Sequence, residues 1–102
     1  MSINLHVTLE IHAAHVQHFM AVMEEIVPVV EGIGWKLTGA FVQRTGRLHN
    51  VIDLWELRDF NHFDVGIQTI ASHKKGPEFL ARLAECVISE TVVFAEKAPY
   101  AH

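Results

Sequence analysis

The run Ile3-Asn4-Leu5-His6-Val7-Thr8-Leu9-Glu10-Ile11-His12 alternates apolar and polar side chains without a break. Successive side chains of an extended chain point to opposite faces. The run is therefore a strand with an apolar face from Ile3 to Ile11 and a polar face carrying His6, Thr8 and Glu10. At Ala13 the period changes. Val16, Phe19, Met20, Met23, Ile26, Val27 and Val30 recur at helical spacing, with Gln17, Glu24, Glu25 and Glu31 off that stripe, so a helix follows and runs to about Gly32. Pro28 has no N–H and its ring crowds the preceding turn, which predicts a kink or an unravelled last turn before Gly32 and Gly34 stop the helix.

Beyond those glycines, Trp35 to Arg44 reads as a second strand, Thr45-Gly46-Arg47 as a turn, and His49 to Arg58 as a third strand, together a hairpin. On the second strand Trp35, Leu37, Gly39 and Phe41 share one side. On the third, Val51, Asp53, Trp55 and Leu57 share one side and Ile52 and Leu54 the other, so both sides carry apolar residues. Asp59 or Asn61 is placed to cap a helix with apolar positions Phe63, Ile67 and Ile70, ending in His73-Lys74-Lys75-Gly76. Pro77 suits the first turn of a further short helix bearing Phe79, Leu80, Leu83 and Val87, and a last strand spans about Ser89 to Ala95.

Strand, helix, strand, strand, broken helix, strand, with no repeat or linker, predicts a single domain over residues 1–102. Its class is α+β, a ferredoxin-like split βαβ sandwich with helices on one sheet face. The first and third strands are expected to be central, parallel neighbours, with the Ile3 to Ile11 row against the helices. The other face is too apolar to meet water, so a second copy is expected on it. Two sheets face to face make a dimeric barrel. Its expected pocket has a mixed lining of His6, Thr8, Asp53 and Trp55.

Composition narrows the partners. Among 102 residues, 8 Lys plus Arg stand against 12 Asp plus Glu, a formal net charge of -4, with no basic run to neutralise phosphates; nucleic acid is not an expected partner. The lone Cys86 excludes an internal disulfide, and the N-terminus carries no basic-then-apolar leader, so a cytoplasmic protein is expected. No apolar stretch approaches the ~20 residues of a membrane span. No nucleotide-binding glycine loop occurs, and no cofactor is expected; Gly32-Ile33-Gly34 precedes a strand and stops a helix.

The segments Gly34-Trp35-Lys36-Leu37-Thr38-Gly39-Ala40-Phe41 and Thr45-Gly46-Arg47-Leu48-His49-Asn50-Val51-Ile52-Asp53-Leu54-Trp55-Glu56-Leu57 resemble the central hairpin of NIPSNAP-type proteins. The likeness extends to the first helix, to the aromatic-led helix after Asp59, to Pro77-Glu78-Phe79 and to Thr91 through Tyr100. The resemblance implies a dimeric α+β barrel with a cavity. Barrels of this kind include cofactor-independent monooxygenases, isomerases, dehydratases and haem-handling proteins, and fold does not choose among them. Where this chain has Asp53, the family often has histidine.

His6 and Asp53 are the candidate catalytic residues, expected to face each other in the pocket. There the carboxylate would orient the imidazole as a general base for isomerisation or cofactor-free oxygenation. Thr8, Trp55, Trp35 and Phe41 are the candidate substrate-binding residues, the aromatics forming a wall for a flat, apolar ligand. A non-catalytic binding or interaction module, its barrel packed dry as a dimer interface, is the rival. A haem-associated barrel is a third reading, requiring a histidine at the pocket wall. No metal site is expected from His12, His15 and His18, which lack a converging set of ligands. His49, His62, His73 and His102 fall at turns or ends and are expected at the surface, and Cys86 in the core.

Overall fold

Alternation and helical periodicity translate into elements in the expected order. The computed structural model describes residues 2–101. It has strands β1 (Ile3–Ile11), β2 (Lys36–Val42), β3 (Asn50–Leu57) and β4 (Val87–Ala95), and helices α1 (Val16–Glu31), α2 (Phe60–Ser72) and α3 (Gly76–Cys86). The fold is α+β and ferredoxin-like. Its sheet runs β2-β3-β1-β4, with every neighbouring pair antiparallel. This corrects the expected parallel pairing of the first and third strands. A split βαβ unit makes parallel the strands joined by the crossover helix, here β1 and β2. β3 enters between them by a hairpin and so opposes both.

The apolar row of β1 meets the helices as expected: Ile3, Leu5, Leu9 and Ile11 are buried, as are Phe19, Val22, Ile26 and Val30 of α1. Pro28 does not end α1, which continues to Glu31. Only the one bond it would have donated is lost, and its carbonyl still accepts from the Gly32 N–H at 3.0 Å. Gly34, at φ +99°, turns the chain sharply into β2. The Asp59 side chain caps α2, accepting from the His62 N–H at 2.9 Å, and this bond holds its carboxyl below the usual range. Among the described residues no helix is long and apolar enough to cross a membrane.

Two local departures move side chains. The β2–β3 connection spans residues 43–49, longer than the three-residue turn expected, because both Gly46 and His49 adopt positive φ and bend it. A bulge between Leu37 and Gly39 then shifts the β2 register, so that Leu37 faces Trp55 while Ala40, instead of Gly39, faces Asp53. Past the bulge the faces exchange. Phe41 pairs with Ile52, and its ring lies over Gly39 beside Leu54 on the sheet face away from the helices.

The core between sheet and helices is divided. One cluster gathers Ile3, Leu5, Val30, Trp35, Trp55 and Leu57; another gathers Leu9, Ile11, Phe19, Val51 and Cys86. Val7 borders both and is only half-buried, although it occupies the middle of the buried row of β1. The packing is interrupted there, above the centre of the sheet.

Candidate functional site

Asp53 lies at that interruption. It pairs with Val7 of β1 and Ala40 of β2, and shares the helix-facing side of β3 with buried Val51 and Trp55. His6 pairs with Leu54 and Val93, and Thr8 with Ile52 and Thr91, which puts both on the opposite face. The expected His6–Asp53 pair therefore does not form. Neighbouring residues of a strand point to opposite sides, and the antiparallel register sets Val7, not His6, across from Asp53. The mixed lining expected for one pocket is split across the sheet: Asp53 and Trp55 beneath the helices, His6 and Thr8 on the outer face.

Trp35 and Trp55 do come together, their rings edge-on at 5.3 Å, and Trp35 stacks on Phe63 at 5.9 Å. The Trp35 indole N–H donates to the His62 carbonyl at 2.8 Å, and its ring lies against Gly66, where a Cβ would collide with it. Phe41, the third expected member of this wall, is 58% exposed on the outer face, though it also borders a cavity at the β2 edge.

His62 corrects another expectation, being only 2% exposed. Its Nδ1 accepts from the Arg58 N–H at 3.0 Å, so Nε2 carries the proton and donates to the Ile33 carbonyl at 2.7 Å. His62 thus ties the start of α2 to the segment after α1 and holds Trp35 in place. The spacing from Asp59 marks the His62 N–H as the one the cap accepts from, and carries no signal that the ring turns inward. His49 is exposed, whereas His73 is partly covered and tilted against Phe79 at 5.4 Å; His102 lies outside the described residues. Cys86 is buried as expected, and burial pushes its thiol up. The His12 and His15 rings meet edge-on at 5.9 Å, and among the described residues no three potential ligands converge into a metal site.

Two cavities flank Asp53. The larger, about 480 Å³, lies between the sheet and the three helices, with Leu5, Val7, Trp55, Phe63 and Leu83 in its wall. The smaller, about 410 Å³, lies under α1 on the β2 side and includes Leu37 and Ala40. Both are lined by Phe19, Met23 and Asp53. Ile67 and Leu80 also line the larger cavity and remain exposed, marking a mouth between α2 and α3. On the outside, Arg82 of α3 donates to Glu25 of α1 at 2.6 Å, holding that carboxyl low and fastening the two helices over the space.

Asp53 is 5% exposed, and its carboxyl has neither hydrogen-bond nor ionic partner among the described residues; burial pushes its pKa to about 6. A carboxyl so placed exchanges a proton near neutral pH, as an acid–base group must. The described lining of both cavities contains no histidine, so a haem held by an axial histidine does not fit there.

The NIPSNAP family model matches residues 7–101. A NIPSNAP family protein from Agrobacterium tumefaciens superposes with a TM-score of 0.85 at 19% identity, covering 99% of this chain and 97% of that one. An uncharacterized NIPSNAP-like domain protein from Burkholderia xenovorans gives 0.83 at 13% identity, covering 99% and 89%. A putative antibiotic biosynthesis monooxygenase from Caulobacter crescentus gives 0.75 at 11% identity, covering 95% and 90%. No curated protein matches the sequence significantly.

Proposed function

Because this chain belongs to the NIPSNAP family, whose fold alone selects no reaction, we propose a function read from its cavity: binding a small, largely apolar or aromatic molecule between sheet and helices. The observation that carries this is an unpartnered, buried Asp53 facing a space of about 480 Å³. Trp35 and Trp55 shape one wall, and Asp53 takes the acid–base part that the sequence suggested for His6. The chemistry open to such a site is proton abstraction from the bound molecule, leading to isomerisation or cofactor-free oxygenation. We place the protein in the cytoplasm as a homodimer joined through the outer sheet faces, with His6, Thr8 and Phe41 at that junction.

A non-catalytic module with a packed interior is the other reading. It calls for Asp53 to be satisfied by protein hydrogen bonds, and Asp53 makes none among the described residues. A screen of aromatic fragments by ligand-observed NMR tests the proposal. Binders are expected that compete with one another and are lost in Val7→Phe, which grows a ring into the cavity. Binders indifferent to that substitution, or a screen without any, would contradict it.

A further inference from the structure

We propose that the ligand of this cavity is an organic base: a flat apolar body carrying a protonated nitrogen that docks on Asp53. This rests on the cavity reading above and specifies its ligand class. The described lining of the two cavities contains Glu24, Asp53 and Glu90 as its titratable groups, and no Lys, Arg or His. Acidic lining alone names no ligand. Asp53 supplies the second observation: it is 5% exposed, has no hydrogen-bond or ionic partner among the described residues, and lines both spaces.

An unpaired carboxylate in apolar surroundings is stabilised by a cation brought to it, and a cation entering such a space needs a counter-charge. A ligand carboxylate or phosphate would meet the same group with like charge and find no basic residue in the described walls to pair with. Trp55 stands two residues along the same face of β3, where an aromatic ring adds favourable surface for a positive head. Exposed Glu90 on the larger cavity's wall and exposed Glu24 on the smaller one's favour cations approaching from either side. With the elevated carboxyl pKa, binding of a cation pulls Asp53 toward its ionised form. Affinity for an amine therefore rises as pH climbs through about 6.

Three probes sharing one ring separate the possibilities: tryptamine, tryptophol and indole-3-acetate, titrated calorimetrically into the wild-type protein and into Asp53→Asn. Tryptamine is expected to bind at least about tenfold more tightly than tryptophol, with indole-3-acetate weakest. The amine's advantage should vanish in D53N and shrink in the wild type between pH 7.5 and pH 5. The wild-type pH series decides the matter should D53N misfold. Tryptophol or indole-3-acetate binding as tightly as tryptamine would overturn the amine assignment and leave the cavity reading standing. Absence of binding by all three, together with no competing hit in the fragment screen, would overturn both.

Discussion

Asp53→Asn will be more stable than the wild type at pH 7.5 and equal to it near pH 4. Folding raises the Asp53 pKa from 3.8 to about 6 through desolvation. Between those values the folded protein holds more proton than the unfolded chain, so stability declines as pH rises through the window and stays low above it. Asparagine has nearly the same shape and never ionises, so it escapes that decline. At about 1.36 kcal/mol per pKa unit the gain is roughly 2–3 kcal/mol above pH 7, which for a domain of this size is on the order of 10 °C in Tm. Thermal unfolding of both proteins from pH 4 to pH 8 reads it out. A gap that does not change with pH would mean that Asp53 is not desolvated. A stabilising substitution of this kind is what a group retained for function at the expense of stability produces.

On the proposed pairing of outer sheet faces, Leu54→Lys will leave the protein monomeric. Leu54 sits mid-sheet on the outer face, between His6 of β1 and Gly39 of β2, and near it Phe41 and Val93 are exposed. If two such faces stack, symmetry brings two copies of the new ammonium into one apolar contact without a partner. Burying unpaired charge costs several kcal/mol, and each 1.4 kcal/mol weakens association about tenfold, so at least a hundredfold loss is expected. The substitution faces away from the helices and leaves the core of each chain intact. Sedimentation at micromolar concentration should show a wild-type dimer and an L54K monomer with unchanged circular dichroism. A monomeric wild type, or a variant still dimeric, would remove the outer face from the assembly.

Element order and the buried side of β1 were legible because both follow from periodicity within one segment: Ile3 to Ile11 alternate, and the α1 stripe repeats at helical spacing. Pairing between strands was not legible in the same way. Whether His6 or Val7 faces Asp53 depends on a register set by the whole sheet, and a shift of one residue exchanges every face. The same holds for Phe41, whose face is decided by the bulge beside Thr38, where the sequence shows only an ordinary alternation. Trp35 and Trp55 meet as expected because Leu37 and Trp55 pair on the near side of that bulge. For His62 only the backbone contact with the capping Asp59 was readable, since which way the ring turns depends on Ile33 and Arg58 meeting it in space. The cavity left none. It exists because Val7 and Asp53 lie beneath helices that do not close over them, a property of tertiary packing and not of any local pattern.

That the ligand sits under the helices, and not between two sheets, is tested most directly by methyl NMR of protein labelled at Leu, Ile and Met during titration with an aromatic amine. Met23, Ile70 and Leu83 line the larger cavity, whereas Ile52 and Leu54 pair with Thr8 and His6 on the outer face. Shifts are expected at Met23, Ile70 and Leu83 that saturate together, with Ile52 and Leu54 still. Shifts confined to Ile52 and Leu54 would contradict it.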